Sequence, residues 1–98
     1  MSKVRPQAIP EGKLGSLIEG LGPLNNRWRA GEPSEKVLTL WKMGDTLLKS
    51  VPEPSDSLLW EIQKRSYITR NLLRYALIIR RSWENPSNLQ RLVQGLHN

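Results

Sequence analysis

Ninety-eight residues, 38% hydrophobic and 24% charged, suffice for one small domain with a modest core. The absence of cysteine excludes a disulfide scaffold and a thiolate metal site, and the absence of phenylalanine leaves the packing to four tryptophans and the leucines. Net charge is +6 with a pI near 10.2, and its distribution says more than its total. Lys64, Arg65, Arg70, Arg74, Arg80 and Arg81 fall between Gln63 and Trp83 without one Asp or Glu, while the remainder carries nine basic and nine acidic residues. A basic patch this concentrated is the footprint expected of a polyanion binder, though basic residues also make ordinary solubilising surface.

The opening "MSKVRPQAIPEG" has no apolar segment of the kind a secretory signal needs. Pro6 and Pro10 mark residues 1–10 as an expected flexible arm ahead of a single helical domain over 11–98. No run approaches the roughly 18 apolar residues of a membrane span, so a soluble, cytoplasmic protein without a membrane partner is expected. From Glu11 to about Leu21, the positions Leu14, Leu17, Ile18 and Leu21 predict a short amphipathic helix. Gly12, Gly15 and Gly20 weaken it and Gly22-Pro23 is expected to end it. "NNRWRAGEP" then reads as loop, with Arg27-Trp28-Arg29 either touching nucleic acid or folding the tryptophan back onto the core.

Pro33 suits a first helical position, and a second helix is predicted from Ser34 to about Ser50. Its stripe is Val37, Leu40, Trp41, Gly44, Leu47, Leu48 and Val51, with Gly44 suggesting close approach of another helix. Pro52 and Pro54 break the chain. A third helix, capped by Ser55, Asp56 or Ser57, runs to about Arg65 with Leu58, Leu59 and Ile62 inward. Thr69 is the expected N-cap of a fourth helix over 70 to about 83, which Asn85-Pro86 ends. A last short helix is predicted from Ser87 to about Gln94. No period-2 run or hairpin turn appears, so the expected fold is all-α: a small bundle of four or five helices. Trp41, Leu48, Leu59, Ile62, Leu72, Leu73, Ala76 and Ile79 are expected to form most of its core.

At about 100° per residue, Arg70, Arg74 and Arg81 share one ridge of the fourth helix, with Asn71, Tyr75, Ile78 and Ser82 beside it. The apolar residues occupy the opposite side, interrupted only by Arg80. A helix of about nine residues, a turn of about four and a longer basic helix have the outline of a helix-turn-helix over about 55–83. Arginine suits guanine and phosphate, and asparagine can pair bidentately with adenine. The candidate nucleic-acid-binding set is therefore Lys64, Arg65, Thr69, Arg70, Asn71, Arg74, Tyr75 and Arg81.

Two stretches carry a family likeness. "LTLWKMGDTLL" (38–48) and "YITRNLLRYALIIRRSWENP" (67–86) resemble the N-terminal domain of YhcG-like bacterial proteins, which carry a PD-(D/E)XK nuclease domain downstream. Thr69 stands at the motif's Ser/Thr cap, Arg70-Asn71-Leu72 at its R-N-L core, and Trp83 and Pro86 near its closing aromatic and proline, while Ser66 replaces a glycine. The likeness covers about residues 37–86. It implies a winged-helix-like or helix-turn-helix domain that binds duplex DNA, with a nuclease or another protein as partner.

For catalysis there is little to assemble. His97 is the sole histidine and is expected to be exposed, the nine carboxylates are dispersed, and Glu61 and Glu84 flank the basic window without an obvious partner. No metal, cofactor or catalytic residue is expected. Besides duplex DNA, two other readings stand. One is a helical interaction or dimerisation module in which the Leu14/Leu17/Ile18/Leu21 helix and the last helix pack against a second copy, as a homodimer, or against a partner. The other is an RNA binder with Trp28, Tyr67 and Tyr75 stacking on bases.

Overall fold

Leucines at positions 14, 17 and 21, continued by Leu24 and Trp28, lay one stripe along a helix that runs further than its glycines suggest. The computed structural model describes residues 11–97; the expected arm over 1–10 and the side chain of His97 lie outside what is described. The elements are α1 (Glu11–Ala30), α2 (Pro33–Ser50), α3 (Asp56–Arg65), α4 (Arg70–Ser82) and α5 (Pro86–His97). The described residues contain no strand, and the fold is a small all-α bundle.

The expected stop at Gly22-Pro23 does not occur. Pro23 sits inside a 20-residue α1, so "NNRWRA" is helix, not loop. An interior proline removes one hydrogen bond and crowds the preceding turn, at a cost of about 3 kcal/mol. Gly22 removes the Cβ that would meet the proline ring. The apolar stripe continues across the break: Leu24 and Trp28 pack on the same core as Leu14, Leu17 and Leu21. Burial on both sides of the proline holds the turn that propensity opposes.

α2 is the element the others use. Its residues Met43 and Leu47 are fully buried, and its neighbours are α1, α4 and α5. Thr46 faces α1 at Gly20, where an added Cβ would lie 3.6 Å from the threonine methyl. Gly44 faces α4 more tightly. A Cβ there would overlap the Ala76 carbonyl oxygen and lie 2.7 Å from the Arg80 Cβ. The close approach suggested by Gly44 is thus backbone against backbone. Trp41 lies half-buried beside this seam, its Nε1 donating to the Trp83 carbonyl between α4 and α5. Leu48 and Ile79 are also only partly buried, unlike the core position expected for them.

Arg80 explains how a charge interrupts α4's apolar side. Its guanidinium packs 4.9 Å from the centre of the Trp41 ring and donates from Nε to Asp45 Oδ1 at 2.9 Å. Lys49 reaches the other oxygen of Asp45 at 3.0 Å. Burial pushes the Asp45 carboxyl up, but the hydrogen bonds and charges of Lys49 and Arg80 outweigh it and hold the group below its ordinary value.

At the α3–α4 junction the local signals act as expected. Ser55 caps α3, accepting from the Leu58 amide at 3.2 Å, and Thr69 caps α4, accepting from the Leu72 amide at 3.2 Å. Ser66 closes α3 with its side chain. Its hydroxyl donates to the Ile62 carbonyl at 2.7 Å and accepts from the Ile68 amide at 3.2 Å. Ile68, inside the four-residue break, is 2% exposed and pins the turn to the core. α4 ends at Ser82, with Trp83 as its cap residue, and Asn85 starts α5, its side chain accepting from the Ser87 amide at 2.8 Å.

Two measurements test this seam. Gly44→Ala should destabilise the fold by about 1–3 kcal/mol or more in urea denaturation, because the methyl meets backbone that cannot rotate away. An unchanged midpoint would mean the helices are not in contact there. Asp45, with its folded pKa depressed, contributes stability that is present above its ordinary pKa and lost as pH falls through the folded value. Asp45→Asn should therefore lower stability at neutral pH and flatten the acid limb of a stability–pH curve.

Candidate nucleic-acid interface

α4 turns Asn71, Arg74, Tyr75, Ile78, Arg81 and Ser82 to solvent while Leu72, Leu73, Ala76 and Leu77 are buried. This separation follows from helical spacing, and the exposed set is the one the wheel predicts, apart from Arg70. Tyr67, in the break before the helix, is 94% exposed.

The arginine ridge is smaller than its spacing suggests. Arg70 is the correction: its Nη1 donates to Asp56 Oδ1 at 2.8 Å and its guanidinium stacks 4.6 Å from the Trp60 ring centre. Its backbone amide donates to Gln63 Oε1 at 2.7 Å, so the residue ties the start of α4 to α3. Asp56 lies at the N-terminus of α3, and α3 packs on α4, so the carboxylate is within reach of the first α4 arginine. Sequence spacing on one helix cannot show a partner on another.

Lys64 and Arg65 are likewise engaged, at the far end of α3. Arg65 contacts Glu61 at 3.2 Å and makes a two-pronged pair with Glu11 of α1, while Lys64 lies 4.0 Å from Glu61. Glu61, expected to lack a partner, has two. Of the window's six cations, only Arg74 and Arg81 have no acidic partner among the described residues. Thr69 belongs to the helix cap; its hydroxyl is committed to the Leu72 amide.

The structure adds residues from α1 that the reading of "RWR" as loop undervalued. α1 and α4 each pack on α2 rather than on each other, and the gap between them opens a concavity of about 380 Å³. Asn25, Trp28 and Arg29 line it from α1; Tyr67 and Thr69 from the turn; Asn71, Leu72 and Tyr75 from α4. Trp28 is half-buried against the core, folded back as one of its two readings expects, with Lys36 4.8 Å from its ring centre. Yet the same tryptophan also forms a wall of the concavity. The signal that could have revealed it is the continuation of the α1 stripe past Pro23, which places position 25 one turn after Leu21.

The Leu14–Leu21 stripe is not a surface. Leu14, Leu17 and Leu21 are at most 3% exposed inside the bundle, because they are what covers α2. The large apolar side chains exposed among the described residues are Trp60, Tyr67, Tyr75, Ile78 and Leu92. No group of three or more His, Asp or Glu side chains gathers to hold a metal among the described residues, and no described helix is long and apolar enough to cross a membrane.

No known protein family, characterised protein or solved structure matches this chain.

The division of the arginines can be measured. Arg70→Ala should lower stability by about 1 kcal/mol, the sum expected of an exposed stack and an exposed ion pair. Arg74→Ala, with no partner to lose, should leave the urea midpoint within about 0.5 kcal/mol of the parent. Equal effects from both would contradict the assignment.

Proposed function

We propose that the chain is a nucleic-acid-binding module that presents α4 to duplex DNA. The observation that carries the reading is the face of α4 on which Asn71, Arg74, Tyr75 and Arg81 are exposed together, the two arginines without an acidic partner among the described residues. The remaining basic residues of the window are spent on internal pairs.

α3, the four-residue break and α4 have the lengths of a helix-turn-helix, and the exposed Asn71, Arg74 and Tyr75 fall in the first half of α4, where such helices meet base edges. Asn71 is suited to adenine, Arg74 to guanine or phosphate, and Ile78 to a thymine methyl. Arg81, two turns beyond Arg74, is placed for phosphate. Arg70 supports this face by fixing the start of the helix. The likeness of residues 37–86 to the N-terminal domain of YhcG-like proteins points the same way, toward a nuclease-associated, defence or regulatory setting in the cytoplasm.

A protein-binding module is the competing reading, favoured by Ile78 and Tyr75 standing exposed at 57% and 61% on this same face. If the protein pairs with a second copy, as helix-turn-helix proteins often do to read two half-sites, Leu92 of α5 is the apolar residue outside the α4 face and α3 available to it.

Replacing both Arg74 and Arg81 with Ala separates the readings. Each phosphate that goes unneutralised should flatten the slope of log K against log salt by about 0.9, so about 1.8 for the pair, with helix content unchanged. Asn71→Ala should weaken a preferred site while sparing non-specific affinity. A parent without measurable duplex affinity at about 50 mM salt would remove DNA binding and promote the protein-binding module.

A further inference from the structure

The concavity between α1 and α4 is lined by a largely buried amide with no protein hydrogen-bond partner among the described residues. Asn25 is 7% exposed, lines the concavity, and makes no side-chain hydrogen bond among the described residues. No described buried side-chain nitrogen or oxygen atom lacks both solvent and a partner, so the polar atoms of Asn25 reach solvent. A buried amide is normally partnered. Here solvent takes that place, and a ligand seated in the concavity would displace it and has to replace its hydrogen bonds.

The walls say what kind of partner. Trp28, Tyr67 and Tyr75 supply aromatic surface, and Asn71 contributes a second amide. An aliphatic side chain docked here would bury Asn25 without a hydrogen bond. An isolated phosphate would meet mostly carbon. A nucleobase satisfies both demands, because it has an aromatic face for stacking and an edge with adjacent donor and acceptor atoms. A primary amide presents the matching acceptor and donor. Adenine fits best, since its N6 and N7 take a bidentate amide. The volume, about 380 Å³, is at the small end of ligand sites and admits one such group. Arg29 on the same rim is placed to meet the attached phosphate.

We infer that this concavity receives one unpaired base, so that the preferred target is duplex DNA with an extrahelical nucleotide rather than an uninterrupted helix. The inference rests on the duplex-binding reading above, because Asn71 and Tyr75 belong to both surfaces. In a continuous duplex the bases are stacked and their faces are out of reach; an already unpaired base enters with little unstacking cost. Tyr67, 94% exposed at the mouth, is the side chain able to close over it.

Three duplexes of one sequence decide the matter: uninterrupted, with one bulged adenine, and with one bulged abasic residue. The bulged adenine should bind roughly tenfold more tightly than the other two, within what one stacked base contributes. 2-Aminopurine in its place should lose fluorescence on binding. Asn25→Leu and Tyr67→Ala should each remove most of the gain of the bulged over the uninterrupted duplex. Tyr67→Ala, at an exposed position, guards against a folding defect in the other variant. An equal gain with the abasic bulge would show that bending is read instead, and would overturn the base site. So would equal affinity for all three duplexes, or a gain that survives both variants; each leaves duplex binding standing. Loss of binding to every duplex would remove both.

Discussion

The backbone approach of α2 and α4 at Gly44 is the constraint from which the remaining geometry follows. With the Ala76 carbonyl seated where a side chain would otherwise stand, the two helices are close enough for Trp41 to reach the Trp83 carbonyl and for Arg80 to reach Asp45. Those two contacts orient α4 about its own axis. Leu72, Leu73 and Ala76 then face inward, and Asn71, Arg74, Tyr75 and Arg81 face out. A rotation of α4 by about a half turn would bury the polar set and expose the leucines, so the seam decides which face is presented. The half-buried ion pair contributes direction more than net stability, since desolvation offsets much of its attraction.

Much of this is legible in the residues, because the signals are local. Thr69 and Ser55 are caps, Pro33 opens a helix, Asn85-Pro86 separates two helices, and the α4 wheel assigns inside and outside to nearly every position. Gly44 is readable as a contact because glycine in the middle of an apolar stripe has little other use. What escapes the sequence is non-local. Pro23 outweighs a stripe that continues beyond it, since propensity counts the residue and not the burial that overrides it. The same error hides the concavity: with α1 ending at Leu21, Asn25 has no place on a face. Core membership is misjudged on α2 because a helix covered on several sides spreads its buried residues, and Met43 and Thr39 lie off the stripe that Trp41 and Leu48 define.

The charges illustrate a further limit. Counting gives a window of six cations and no anion, and a wheel gives a ridge of three arginines. Neither can show that Asp56 comes to Arg70, Glu61 and Glu11 to Arg65, and Asp45 to Arg80, because each anion lies outside the window and most lie on another helix. The positive excess is therefore divided by the fold. Part of it staples α3 to α1 and α4, and α2 to α4. Part is left at Arg74 and Arg81, with Arg29 across the concavity.

This division bears on how the outward face keeps its shape. Exposed arginines and tyrosines on an isolated helix would sample many rotamers, and their ordering on contact would cost affinity. Here the helix beneath them is held at its start by Arg70, Gln63 and the Thr69 cap, and at its end by Arg80 and Trp83. The wall opposite is α1, fixed by the leucines that carry it past Pro23. Thus the proline that argued for a loop lies within the element that positions Asn25 and Trp28. If α1 stopped at Leu21, the exposed face of α4 would be a convex helix surface with nothing beside it. Its continuation makes a convex helix into one side of a cleft. That change, from a ridge alone to a ridge beside a hollow, is the geometry on which the proposed base site rests.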